Sequence, residues 1–384
     1  MMTNYLQRAI QQQFLAKLQP NKVLVLHGAR RVGKTVFLNY LIEKVLEEPS
    51  LFLNGEDMAV QALLTQRTAE NYKRLLGDKK LLIVDEAQKI PDIGLALKFM
   101  VDSIEGLKII TTGSSVFDIA NKLGEPLTGR KYTFKMFPIA QMELSPIENL
   151  IETKARLEER LIYGSYPELL HLPSYDGKAD YLNEMINAYL LKDILEFDGI
   201  RNSDKMFDLL RLIAFQIGKE VSLEELGKQL LLSRNTVEKY LDLLSKVFVI
   251  FKLQGYSRNL RSEITKTSRW YFFDNGIRNA LIRNFHPISL RNDIGELWEN
   301  YILSERIKYQ HYTNIQTSNY FWRTYEQQEI DWIEEAGGKL SAFEIKWNPA
   351  KAVRVPTAWA KAYPESSFQV IHPENYLDWI SGAF

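Results

Sequence analysis

The 384-residue chain contains no cysteine. That excludes disulfides and every thiolate metal site. With only five scattered histidines, no ligand set for a structural zinc is left. There is no surplus of charge of either sign, since 48 basic residues balance 48 acidic ones. No overall positive field draws the chain to nucleic acid, so any DNA contact rests on local patches. Long apolar runs are missing too, and none approaches the length that crosses a bilayer. The opening stretch MMTNYLQRAIQQQF is polar and amphipathic, without the apolar centre of a signal peptide. The expectation is a cytoplasmic protein with no membrane partner.

What is present is an ordinary globular composition, 46% hydrophobic and 25% charged, in a chain too long for a single core. The apolar run Val23–Leu26 leads into His27-Gly28-Ala29-Arg30-Arg31-Val32-Gly33-Lys34-Thr35-Val36. This fits G-x-x-x-x-G-K-[ST] between a buried strand and an amphipathic helix. Glycines let backbone N–H groups face a phosphate without a Cβ in the way, and the helix opening at Gly33 adds its positive end. Lys34 is placed to reach the β- and γ-phosphates and the Thr35 hydroxyl to ligate magnesium.

Further on, Leu81–Val84 ends in Asp85-Glu86, the pattern of a fully buried parallel strand whose tip enters a nucleotide site. Asp85 would hold magnesium through water and Glu86 would orient the attacking water. Alone, the acidic pair reads equally well as a helix cap. Paired with an upstream phosphate loop at strand-helix-strand-helix distance, it reads as an ATP site. The strand Leu107–Thr112 ends in Gly113-Ser114-Ser115. There Thr112 or Ser114 would touch the γ-phosphate or the water, unless the stretch is a plain turn. Arg130, ahead of the alternating Tyr132, Phe134 and Met136, is a candidate to reach a phosphate in its own or a neighbouring subunit. A surface ion pair is the other reading.

From Phe137-Pro138 the pattern turns helical: Ile147–Tyr163, Tyr181–Phe197 and Lys205–Ile217. Between Glu220 and Lys252 the spacing predicts two short helices, the second opening at Ser233-Arg234-Asn235, with strands at Val247–Ile250 and Trp270–Phe273 bracketing a wing. From Lys252 to Arg269, five basic residues face one acidic residue, with Tyr256 among them. This winged-helix pattern fits DNA binding or packing against protein. In the last hundred residues Glu299 lies on a helix, and Glu329–Ile333 and Ala342–Trp347 form a hairpin across Gly337-Gly338. Asp331, Glu344 and Glu299 would hold a divalent metal, with Lys346 as the catalytic lysine. A solvated edge hairpin is the bland reading.

These stretches, with Gly164–Glu168, Asp274-Asn275-Gly276 and Gly295–Asn300, appear in order over nearly the whole chain. Together they resemble a bacterial and archaeal family of AAA-like P-loop ATPases with a C-terminal domain related to PD-(D/E)XK nucleases. The resemblance implies an α/β multidomain chain with an AAA-like parallel sheet over residues 1–137, a helical segment over 138–217, a winged helix over 218–275 and a restriction-endonuclease-like domain over 276–384. It implies ATP and Mg2+ at Gly28–Thr35, Asp85 and Glu86, and a nuclease-like fold around Glu299, Asp331, Glu344 and Lys346. The function this supports is an ATP-hydrolysing switch in a DNA-related process. The alternatives are an ATP-regulated, metal-dependent nuclease and a non-catalytic switch for a protein partner or a second copy of the chain.

Overall fold

A computed structural model describes residues 5–113, 127–190, 203–257, 268–351 and 353–382. The chain falls into two compact units, residues 1–138 with 246–248, and residues 139–245 with 249–384. No helix among the described residues is long and apolar enough to cross a membrane.

The first unit is built on β1 (Lys22–His27), β2 (Ser50–Asn54), β3 (Leu81–Asp85), β4 (Lys108–Gly113) and β5 (Lys131–Lys135). They form one sheet in the order β2-β3-β4-β1-β5, and every pairing is parallel. β1, β3 and β4 are buried almost end to end because helices cover both faces of such a sheet. β4 lies between β1 and β3, so the strands carrying the two nucleotide motifs are separated by the one ending in Thr112. Helix α1 (Lys34–Lys44) follows the phosphate loop, and α2 (Ile93–Ser103) follows β3. Between β2 and β3 the chain forms two short helices, Met58–Thr65 and Ala69–Leu76. The break has a local cause: the Thr68 hydroxyl accepts from Asn71 N at 3.2 Å and caps a new helix.

In the second unit, α3 (Tyr175–Glu184) runs into a π-helical stretch, Met185–Leu190; the rest of the expected Tyr181–Phe197 helix lies outside the described residues. Then come α4 (Ser203–Phe215), β6 (Glu220–Val221), α5 (Leu223–Leu230), α6 (Arg234–Lys246), β7 (Ile250–Gly255) and β8 (Ser268–Phe272). They are followed by α7 (Asn275–Leu281), α8 (Ile294–Tyr312), β9 (Ser318–Arg323), β10 (Glu329–Ala336), β11 (Lys339–Ile345) and β12 (Ser367–Ile371). All seven strands make one mixed sheet, β12-β11-β10-β9-β7-β8-β6. The two halves of this sheet join where β7 runs parallel to β9, Gln254 opposite Tyr320. The β10–β11 hairpin turns on Gly337 and Gly338, at φ 56° and 79°, the left-handed pair that a two-residue turn demands.

Two of the stretches that carry the resemblance meet in one joint. Asp274 caps α7 by accepting from Gly276 N at 2.9 Å and also accepts from Ser165 N at 2.7 Å. Gly164, at φ 77°, has no room for a side chain, because a Cβ there would meet Asp274 Oδ1 at 2.0 Å. Gly164–Glu168 and Asp274–Gly276 are therefore a packing device.

Candidate functional site

The phosphate loop turns sharply off β1. A Cβ on Gly28 would lie 2.2 Å from the Met136 carbonyl, and Gly33 takes φ 92°, so neither position admits another residue without backbone movement. Ala29, Arg30, Arg31 (φ 64°) and Val32 form the loop between them, and Val36 is exposed in the first turn of α1. Lys34 is buried. Its Nζ donates to the carbonyls of Gly28 at 2.9 Å and Ala29 at 3.0 Å, which arches the ammonium back over the loop. Arg8 braces the loop from outside, donating to Val32 O and Phe137 O, both at 2.7 Å. Nothing near Arg8 in the sequence marks it for that task; its partners are 24 and 129 residues away.

The tip of β3 meets this loop. The Thr35 hydroxyl donates to Asp85 Oδ2 at 2.7 Å, and the Thr112 hydroxyl donates to Asp85 Oδ1. Thr112 Oγ1 also accepts from Glu86 N at 3.0 Å, so one hydroxyl ties both acidic residues to the end of β4. Glu86 is left-handed, at φ 50° and ψ 43°. Such a residue costs on the order of 1 to 3 kcal/mol and persists only where its surroundings hold it. Gln88 is one such restraint, with Nε2 donating to Glu86 Oε2 at 2.5 Å. Lys34, Thr35, Asp85, Glu86 and Thr112 thus converge, with Gln88 added. Ser114 lies outside the described residues.

Arg130 is not brought here. It precedes β5, whose first residue lies opposite Val23 while Lys135 lies opposite His27. At about 3.3 Å per residue it sits more than about 13 Å from the loop, at the other end of the sheet. There it pairs with Asp102 of α2, out of reach of a phosphate in its own loop.

In the second unit the structure gathers Glu299, Asp331, Glu344 and Lys346. Lys346 Nζ lies 2.6 Å from Glu344 Oε1 and 3.3 Å from Asp331 Oδ2, and Ile345 N donates to Asp331 Oδ2 at 2.9 Å. Two residues join them that sequence spacing missed. Buried Arg269 reaches Glu329 at 2.8 Å and Asp331 at 3.7 Å, with its guanidinium 4.6 Å over the Phe321 ring. Tyr271 donates to Glu299 Oε1 at 2.6 Å. Arg269 thus does not contribute to an exposed basic wing; residues 258–267 of that stretch lie outside the described residues. Tyr256 is likewise a core residue, its ring edge-on to Tyr320 at 5.4 Å and to Tyr363 at 5.5 Å.

Four carboxyls here face two cations, and Glu344 Oε2 is buried without a partner. Burial, with Asp331 nearby, pushes Glu299 up to about 8 and Glu344 up to about 7. A divalent ion does not fit the arrangement. Lys346 stands between Asp331 and Glu344, Arg269 between Asp331 and Glu329, and no three acidic or histidine side chains among the described residues are placed to share a metal. At the expected metal site the acidic side chains are paired with the chain's own Arg269 and Lys346.

This network makes stability pH-dependent. A carboxyl with a raised folded pKa contributes fully below its unfolded value, near 4.5, and that contribution fades as pH rises through 7 to 8. The chain should melt lower at pH 9 than at pH 6. Glu299→Gln should flatten that dependence and stabilise the fold at pH 9 by on the order of 1 to 2 kcal/mol. Thermal unfolding at the two pH values checks this; an equal fall in both proteins contradicts it.

Comparison with known proteins matches three segments of the chain. Residues 20–145 match the family described as AAA domain. Residues 154–287 and 294–379 match two domains of unknown function, DUF8612 and DUF4143. An uncharacterized protein of Methanocaldococcus jannaschii is 25% identical over 335 residues, covering 83% of this chain and 73% of its own. One of Mycobacterium tuberculosis is 26% identical over 330 residues, covering 84% and 70%. Among solved structures, a DNA replication initiation factor aligns at 13% identity and TM-score 0.26, over 62% of this chain and 85% of its own. At that score it bears on neither fold nor function.

Proposed function

We propose that this chain, with its AAA domain over residues 20–145, is an ATP-hydrolysing switch whose nucleotide state acts on the second unit. The observation that carries the reading is the Thr35–Asp85 hydrogen bond of 2.7 Å, which links the phosphate loop to the acidic strand tip beside Glu86. The backbone N–H groups from Gly28 to Thr35 would cradle the phosphates, and Lys34 would swing from the loop carbonyls to the terminal phosphate. Thr35 and Asp85 fit magnesium: a hydroxyl and a carboxylate already converge, held by Thr112. Magnesium, when bound, would polarise the phosphate oxygens. Glu86 would orient the attacking water and take its proton, with Gln88 and Thr112 fixing where it stands.

The DNA-related part of the proposal is supported by the order α4-β6-α5-α6-β7-β8, with β8 hydrogen-bonded to both other strands. That is the helix-strand-helix-helix-strand-strand order of a winged helix, and α6 opens with exposed Arg234 and Asn235. Hydrogen exchange tests the switch in a Glu86→Gln protein loaded with ATP. Exchange in the second unit should differ between the ATP-loaded and nucleotide-free states, and α6 should gain protection when duplex DNA is added. Identical exchange in residues 139–384 with and without ATP contradicts the switch.

A further inference from the structure

The second unit holds a concave site that the proposed ATP chemistry does not use. It lies among the end of α3 with its π-helical continuation, one face of α4, and the end of α7, and encloses about 510 Å³. That volume is in the range of small-molecule sites. Two walls contribute chemistry at helical spacing, Asn183 and Asn187 from the first and Phe207 and Arg211 from the second, and the chain just past α7 adds Arg283 and Phe285. The remaining lining is aliphatic, and no described carboxylate lines the cleft. Arg211 and Arg283 are exposed and form no ion pair among the described residues.

Two features show that the walls are held in place. Phe285 stacks on Tyr163 at 5.5 Å and 7°, and Tyr163 stacks on Tyr175 at 5.4 Å and 1°, so the Phe285 ring is fixed by a three-ring column. Arg283 sits at φ 52°, a left-handed backbone at the lip of the cleft. A π-helical turn in a wall is itself a recurrent feature of ligand sites.

Two guanidiniums without acidic partners among the described residues call for an anion and suit phosphate in particular, because their planar donors match its oxygens. Two phenyl rings offer flat apolar surface to an aromatic body. Two carboxamides can both donate to and accept from a heterocycle's edge. We propose that this cleft binds a nucleotide monophosphate unit, its base against Phe207 and Phe285 and its phosphate on Arg211 and Arg283. The unit is either a free nucleotide or one nucleotide of a single strand, and the proposal does not depend on the ATP reading of the first unit.

Titration of the full chain with thymidine 5′-monophosphate by calorimetry, and with a labelled single-stranded oligonucleotide by anisotropy, tests this. Wild type should bind at least one probe. The double variant Arg211→Ala/Arg283→Ala should bind that probe at least 10-fold more weakly while turning over ATP at the wild-type rate. Binding of the monophosphate identifies a free-nucleotide site; binding of the oligonucleotide alone identifies a strand site. Should the double variant fail to fold by circular dichroism, Phe207→Leu serves instead and should weaken the same probe without shifting the melting temperature. The proposal is overturned if wild type binds neither probe, or if the folded variants bind as wild type does.

Discussion

Glu86→Gln is expected to bind ATP with near-wild-type affinity and to release phosphate about 10²- to 10⁴-fold more slowly, the loss typical of removing a positioned general base. The reason is positional. Glu86 follows Asp85 at the end of β3 in a left-handed conformation, which turns its carboxylate off the strand's alternation. That carboxylate is restrained by Gln88 and its backbone N–H by Thr112. Glutamine keeps the shape and the hydrogen-bonding reach but cannot take a proton. Because neither the loop nor the Thr35–Asp85 contact changes, binding should survive. Equilibrium binding of a fluorescent ATP analogue, set beside phosphate release, separates the two effects. Equal loss of both would place Glu86 in binding and would contradict its assignment.

Lys34→Ala should act on both quantities. The ammonium is a buried cation of the loop, arched over the Gly28 and Ala29 carbonyls. Removing it leaves a phosphate site with its backbone donors but without the buried ammonium. Electrostatic stabilisers of this kind are worth about 10²- to 10³-fold in turnover, and affinity for the triphosphate should fall as well. The fold should hold, since the bonds from Lys34 to the Gly28 and Ala29 carbonyls, six and five residues before it, lie within its own loop. A circular dichroism spectrum matching wild type, with turnover near background, is the expected pair of results.

The nucleotide half of the chain was readable because its evidence is local. An apolar strand, a glycine-bounded loop, a lysine and a hydroxyl lie within thirteen consecutive residues, Val23 to Thr35. The partner acid ends the next such apolar run. Thr112 was one of two candidates at the tip of β4, and the structure ties it to both Asp85 and Glu86. Arg130 shows the limit. Its type suited a phosphate, but a residue that precedes a strand parallel to β1 must stand at the end of the sheet away from the loop. Arg8 could not be found from spacing, because its value lies in carbonyls far along the chain.

The second unit was legible in chemistry more than in geometry. Glu-x-Lys on β11 puts Glu344 and Lys346 on one face, and Asp331 on β10 is close enough to share the lysine. What spacing could not show is that β8 delivers Arg269 and Tyr271 to the same place through the β7–β9 junction. Counted along the sequence, Arg269 belongs to a basic run; folded, it is a buried counter-ion for Glu329 and Asp331. That one relocation removes charge from the candidate DNA surface and supplies charge where a metal was expected.

Steady-state phosphate release from ATP by the purified wild-type chain, with magnesium and then with excess EDTA, tests the central claim most directly, with Lys34→Ala assayed alongside. The arrangement of Lys34, Thr35, Asp85, Glu86 and Thr112 predicts turnover that requires magnesium and stands at least about 100-fold above the Lys34→Ala protein. Turnover that is indifferent to EDTA, or no greater in wild type than in Lys34→Ala, would contradict it.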